Sequence, residues 1–136
     1  MGGYEILEHT ADIGLRVRGE SLEELFGEAT RGLAEIIGVW RPQDGEKREI
    51  TLEADDVGAL LVDWLSEILY LHDARDALIA GVLVERVDEK GIAGSVVLVP
   101  MKGPPDEGIQ VKAITYHQLK VERSEGGWTA EIYLDV

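Results

Sequence analysis

The stretch EHTADIGL, residues 8–15, joins a short apolar run to a segment in which apolar and polar residues alternate. Alternation predicts a β-strand, because successive side chains of a strand point to opposite faces. Ile13, Leu15 and Val17 would then face the core of the protein. Asp12 would stand at the entrance of this strand and point away from the core, at a position where the fold alone requires no carboxylate.

The polar residues of this stretch also have an ordinary structural explanation. Thr10 or Asp12 can accept hydrogen bonds from nearby backbone amides, as Thr and Asp often do in turns. The local sequence favours that explanation. A functional role for Asp12 therefore needs support from residues elsewhere in the chain.

The composition is typical of an ordinary globular protein, with 45% hydrophobic residues, and predicts a single domain spanning residues 1–136. The absence of cysteine excludes disulfides, thiolate catalysis and cysteine-based zinc sites. The first residues lack the basic and apolar regions of a signal peptide, and no apolar run reaches membrane-spanning length. These features predict a cytoplasmic protein.

The chain carries 27 acidic and 13 basic residues, a formal net charge of -14. Phosphate backbones are bound mainly by Lys and Arg, so strong direct binding of nucleic acid is not expected. A basic protein partner or a bound cation would suit this charge better. The acidity is equally well explained as a means of keeping the protein soluble.

The hydrophobic pattern predicts an α+β fold: a single two-layer domain with a mostly antiparallel or mixed β-sheet and two amphipathic α-helices. Ser21 and Glu24 form a capping-box pattern at the start of the first helix, and Gly38 ends it. Asp55 or Asp56 is predicted to cap the second helix. In both helices the apolar residues recur at the spacing that places them on one face.

The second half of the chain predicts long strands. Residues 78–87 are apolar on both faces in their first half, which indicates a central strand, and a turn leads into a partner strand at residues 92–100. Residues 101–108 are rich in Pro and Gly and predict a loop, which is either a solvated connection or a functional segment. In the final hairpin, one face of the first strand is predicted to hold Val111, Ala113, Thr115, His117, Leu119 and Val121.

The ends of two predicted strands bring carboxylates together. If the strand that starts at Asp12 pairs with the last strand in antiparallel fashion, then Asp12, Asp135 and the α-carboxylate of Val136 lie close to one another. Like charges at such distances must be neutralised, either by protons or by a hard divalent cation. Ligand sets made only of oxygen favour Ca²⁺, Mg²⁺ or Mn²⁺.

Other candidate residues are less specific. His9, His72 and His117 occur singly, and a lone histidine is more often a structural residue than a ligand. The chain has no Walker loop or nucleophile elbow, and no catalytic residue can be assigned. Lys112 follows the irregular loop, where it would either discourage strand aggregation or meet a phosphate or a partner's carboxylate.

Three segments together resemble the archease family: EHTADIG at residues 8–14, KAITYHQL at residues 112–119, and the final Asp135-Val136. The resemblance runs from one end of the chain to the other. It implies a small α+β protein that assists the tRNA-splicing RNA ligase and is not itself an enzyme. That ligase uses GTP and a divalent metal to join RNA ends carrying a 2′,3′-cyclic phosphate or 3′-phosphate to 5′-hydroxyl ends.

The resemblance also assigns roles to residues. It implies that Asp12, Asp135 and Val136 bind a metal, most often calcium in this family, and that Lys112 is a functional position. His9 and His117 belong to the family motifs without a defined role, so they are candidates for contact with a partner or a phosphate. The protein would promote guanylylation and multiple turnover of the ligase. A chaperone-like modulator with a purely structural metal is the alternative.

Overall fold

The computed structural model describes residues 2–8, 12–102 and 108–136. The elements follow one another as β1 (Gly3–Glu8), β2 (Asp12–Gly19), α1 (Leu22–Ile37), β3 (Glu46–Glu53), α2 (Val57–Arg75), β4 (Ala77–Val87), β5 (Gly91–Pro100), β6 (Ala113–Ser124) and β7 (Gly127–Asp135). The fold is α+β with two helices, as the sequence predicts.

The strands form two antiparallel sheets, where the sequence suggested one. One sheet has the order β1-β2-β7-β6, and the other has the order β3-β5-β4. Helix α1 contacts β1, β2 and β7 of the first sheet and β4 of the second, while α2 contacts β6 and all three strands of the second sheet. Both helices therefore connect the two sheets, and all these elements contribute to one hydrophobic core.

Helix α1 begins as its sequence predicts. The Ser21 side chain accepts a hydrogen bond from the Glu24 backbone N–H at 3.1 Å, and Ser21 is the N-cap. The Glu24 carboxylate accepts in return from the Glu20 N–H at 2.9 Å, one residue before the position that a standard capping box uses. Leu25 and Phe26 are fully buried on the inner face of the helix.

A buried hydrogen-bond chain joins the two helices. The Trp64 indole N–H donates to the Thr30 hydroxyl oxygen at 2.9 Å, and that hydroxyl donates to the Phe26 carbonyl at 2.8 Å. Trp64 and Thr30 are fully buried. Because a buried indole N–H without a partner is costly, this chain allows the largest side chain of α2 to pack in the core.

The prediction that residues 78–87 form a central strand is wrong. β4 is the last strand of its sheet, and β5 occupies the centre. The start of β4 is apolar on both faces for another reason. Helix α1 packs against the strand, and the loop after α1 reaches it at Ala80, whose carbonyl accepts a hydrogen bond from the Gln43 N–H at 3.2 Å.

The predicted alternation along β6 is correct only in part, because the strand is interrupted by a bulge. Thr115 pairs with Tyr133 and Lys120 pairs with Glu131, so residues 116–119 lie opposite a single residue of β7. Gln118 has a φ of 55°, in the left-handed region, which a regular strand does not allow. This wide bulge shifts the phase of the strand. Ile114 therefore faces inward and Ala113 is exposed, contrary to the prediction, whereas Leu119 and Val121 pack against the core as predicted.

Neither helix of the described residues is both long and apolar enough to cross a lipid bilayer.

The structure resolves which aspartate caps α2. The Asp56 side chain accepts a hydrogen bond from the Ala59 N–H at 2.8 Å, and Asp55 is exposed beside it. We predict that Asp56→Ala lowers the free energy of unfolding by about 1 kcal/mol, because an N–H at the helix start loses its acceptor. Asp55→Ala, the matched control, should change it by less than about 0.5 kcal/mol. Urea unfolding followed by tryptophan fluorescence measures both, and equal effects would contradict the assignment.

Candidate functional site

The pairing of β2 with β7 places two aspartates opposite each other. β2 begins at Asp12, β7 ends at Asp135, and these residues are cross-strand partners in the register. Directly opposed residues have Cβ atoms about 4.5 to 5.5 Å apart, and like charges in such a pair are destabilising. Asp12 is half-exposed and Asp135 is exposed. The antiparallel pairing predicted for these two strands is confirmed.

Lys112 lies at the same end of this sheet. Its backbone N–H donates to the Asp135 carbonyl at 2.8 Å, and the next residue, Ala113, is the cross-strand partner of Asp135. The preceding segment is held as well, because the Ile109 N–H donates at 2.7 Å to the Ile36 carbonyl at the end of α1. The Lys112 side chain is exposed and forms no ion pair with a described residue.

Val136 follows Asp135 directly and is half-buried against the hydrophobic core. The packing of its side chain holds its main-chain oxygens beside the end of β7. Among the described residues, no group of three or more His, Cys, Asp or Glu side chains is arranged to hold a metal ion. Because the described residues bring only two side-chain carboxylates together here, a cation would need further oxygens. Asp12 and Asp135 would bind it together with main-chain oxygens of Val136. Such an all-oxygen donor set fits Ca²⁺, Mg²⁺ or Mn²⁺.

The predicted histidine candidates have different outcomes. His9 lies outside the described residues. His117 is exposed within the β6 bulge, where its backbone N–H donates to the Thr115 hydroxyl at 3.3 Å. His72 belongs to α2, and its Nδ1 lies 2.6 Å from the Ala77 carbonyl oxygen at the start of β4. His72 therefore has the structural role expected of a lone histidine.

A buried tyrosine adjoins the acidic pair on the outer face of the sheet. Tyr133 lies opposite Gly14, and its ring is buried although it points away from the core. Its hydroxyl donates to a Glu131 carboxylate oxygen at 2.5 Å. This hydrogen bond raises the pKa of the Tyr133 phenol, and burial and the negative charges of Glu131 and Asp12 act in the same direction. The phenol is thus neutral and serves as a hydrogen-bond donor.

Sequence reasoning missed Tyr133. Its alternation with Ile132 and Leu134 indicated only an outward-facing residue of the last strand. The available signal was Gly14, because a glycine within a strand often marks a site where another group approaches the backbone closely. A Cβ atom at Gly14 would lie 2.9 Å from Tyr133 Cε1 and 3.1 Å from Leu7 Cβ. The missing side chain of Gly14 makes room for the tyrosine ring.

We predict that Gly14→Ala lowers the free energy of unfolding by about 1 to 3 kcal/mol, because the added methyl group displaces the Tyr133 ring or the Leu7 side chain. Gly3→Ala is the matched control in the same sheet, since a Cβ atom there would meet nothing within 4 Å. The control should change the free energy by no more than about 0.5 kcal/mol. Urea unfolding of the two variants measures the difference, and a neutral Gly14→Ala would contradict the packing argument.

These features define a small α+β protein with two antiparallel sheets and a pair of carboxylates where two strand ends meet. Residues 4–136 match the model of the Archease protein family (MTH1598/TM1083). The chain therefore belongs to the archease family. It is 39% identical to the protein archease of Thermococcus kodakarensis, with full coverage of both chains. It is 37% identical to that of Methanosarcina mazei, over 98% of this chain and 95% of the relative.

Solved structures agree with this assignment. The solution structure of protein 1598 from Methanobacterium thermoautotrophicum matches with a TM-score of 0.73 at 27% identity, over 98% of this chain and 99% of that one. The crystal structure of an archease described as a possible chaperone, from Thermotoga maritima, matches with a TM-score of 0.69 at 26% identity. That match covers 97% of this chain and 96% of the other.

Proposed function

We propose that this chain is a protein activator of the GTP-dependent tRNA-splicing RNA ligase and not itself an enzyme. It would act in the cytoplasm, promoting guanylylation and multiple turnover of the ligase. Membership of the archease family supports the proposal. The observation that carries it is the register of β2 and β7, which places Asp12 opposite Asp135 and ties Lys112 to the same strand end.

In this proposal Asp12, Asp135 and the main-chain oxygens of Val136 hold a divalent cation, most readily Ca²⁺, with Mg²⁺ or Mn²⁺ as substitutes. Such a cation would neutralise the opposed carboxylates and attract phosphate oxygens. Lys112 supplies a positive charge at the same sheet end, where it would meet a phosphate or a carboxylate of the ligase. His9 and His117 are further candidates for contact with the partner.

The overall charge supports a protein partner. With a net charge of -14, the chain repels RNA from most directions, so it would reach the ligase without competing for the RNA substrate. The strand ends then act at the nucleotide-containing active site of the ligase, where metal ions and a lysine are the usual means of stabilising phosphoryl transfer.

The second candidate is a chaperone-like modulator with a purely structural metal. It is favoured by the description of the Thermotoga maritima archease as a possible chaperone. A general chaperone would suppress the aggregation of unrelated proteins, whereas a dedicated activator would not. Light scattering of a heated client protein, with and without this chain, distinguishes the two functions.

The activator function predicts the outcome of a ligation time course with a cognate ligase and limiting GTP. The chain should increase the number of turnovers. Asp12→Ala and Asp135→Ala should abolish the increase, and their melting temperatures in a chelator should not fall below that of the wild type, because both side chains lie outside the core. Asp63→Ala is the matched control on an exposed face of α2, and it should stimulate like the wild type. Normal stimulation by both Asp12→Ala and Asp135→Ala would contradict the proposal.

The metal site predicts how stability responds to calcium. A ligand that binds only the folded state at about 100 times its Kd adds about 2.7 kcal/mol, so calcium should raise the melting temperature of the wild type. Asp12→Ala should lose this increase, because it removes the ligating oxygens, whereas an Asn side-chain oxygen could still bind calcium. In a chelator, however, Asp12→Ala should be as stable as the wild type or more stable, because a like-charged pair has been removed. Thermal unfolding with calcium and with chelator tests both points, and an equal calcium response in the two proteins would exclude Asp12 as a ligand.

A further inference from the structure

The edge of β4 is open over its central part. β4 is the last strand of its sheet, and it pairs with β5 in regular register from Gly81 to Val84, between two bulges. Ala80 accepts the backbone hydrogen bond from Gln43, but no backbone group from Gly81 to Val84 bonds outside its own sheet among the described residues. Leu83 is 54% exposed in this stretch.

This part of the β4 edge lacks the features that usually prevent unwanted strand pairing. Native edge strands avoid unwanted pairing through charged side chains, prolines or bulges within the exposed stretch. The sequence from Gly81 to Val84 is Gly-Val-Leu-Val, with no charge and no proline, and its bulges lie at the two ends. An apolar, regular edge of this kind is suited to pairing with another extended chain.

Helix α1 supplies an acidic wall beside the edge. A groove of about 420 Å³ runs between Val82, Leu83 and Val84 on one side and the exposed face of α1 on the other. That face contributes Glu23, Glu24, Glu28 and Arg31 among others. Arg31 is paired with Glu28 at 2.8 Å, whereas Glu23 forms no hydrogen bond or ion pair with a described residue. The groove is therefore apolar along the strand and negative along the helix.

The negative charge of the groove determines which kind of partner can bind there. A second copy of this chain would bring the same acidic wall and a net charge of -14 to the groove, and the like charges would repel. A nucleic acid would be repelled for the same reason. We propose that β4 binds an extended, basic segment of a protein partner, which adds a fourth strand to this sheet and places its Lys or Arg side chains against the glutamates of α1.

This surface is separate from the acidic pair, because Asp12 and Asp135 belong to the other sheet. Its test therefore does not depend on ligase activation. The probe is a fluorescein-labelled peptide of about six alternating lysine and valine residues, a common strand length. Fluorescence anisotropy should show binding that weakens as salt is added, and the matching glutamate and valine peptide should not bind. The amides of Gly81 to Val84 should exchange with deuterium more slowly in the complex.

Two substitutions and one control locate the binding. Leu83→Lys places a charge on the open edge and should weaken peptide binding by about tenfold or more. Glu23→Lys reverses an exposed charge of the acidic wall and should weaken it by about fivefold. Glu122→Lys makes the same reversal on β6 of the other sheet and should leave the affinity unchanged.

Three results would overturn the proposal. The first is equal weakening by Glu122→Lys and Glu23→Lys, which would mean attraction by the overall charge alone. The second is bound peptide without protection of the β4 amides. The third is a dimer in sedimentation that Leu83→Lys dissociates, because the edge would then be occupied by a second copy.

Discussion

The register between β2 and β7 is the constraint on which the site depends. These strands lie side by side in the middle of the first sheet, and Ile13, Leu15 and Val17 on β2 are buried with Ile132 and Leu134 on β7. A slip of one residue would turn all the apolar side chains of one strand towards solvent. Burial of the core therefore determines the register, and the same register places Asp12 opposite Asp135. The two carboxylates are held together by hydrophobic packing, against their own repulsion.

The outer face of this sheet leaves the acidic pair without a neighbouring arginine. Arg16 follows Asp12 on the same face, but its guanidinium lies 3.1 Å from a carboxylate oxygen of Glu5 and 3.7 Å from one of Glu131. Tyr133, which adjoins the pair, is neutral and donates to Glu131. The Arg16 guanidinium is therefore paired with Glu5 and Glu131, and Glu131 also accepts the hydrogen bond from Tyr133. Among the described residues, the positive charge that remains at this strand end is that of Lys112.

Local patterns predicted the parts of the fold that local interactions determine. The helix starts at Ser21 and at the Asp55-Asp56 pair were recognisable because a capping side chain bonds an N–H only a few residues away. The acidic pair depends on a contact between distant parts of the chain, and it was predictable because a single antiparallel pairing suffices to bring Asp12 and Asp135 together. Lys112 was a candidate from its place after the irregular loop and again from the family motif, and its backbone N–H bonds the end of β7.

The errors concern features that depend on distant parts of the chain. The division of the strands into two sheets follows from helices that contact both, which no single segment reveals. Residues 78–87 looked like a central strand because helix α1 packs against β4 and the loop after α1 bonds its first part at Ala80, so the start of this edge strand is apolar on both faces. The β6 bulge and the burial of Tyr133 over Gly14 arise from cross-strand pairing, so alternation along one strand cannot show them.

Helix α1 connects the acidic strand ends with the open edge of β4. The first half of the helix lines the groove beside β4, and its last turn accepts the hydrogen bond from Ile109 that holds the segment leading to Lys112. The Lys112 backbone is therefore held between the end of α1 and the end of β7, while its side chain is exposed. A partner strand in the groove would press on the same helix. Because interiors are close-packed, a shift of α1 would reach the Lys112 segment directly.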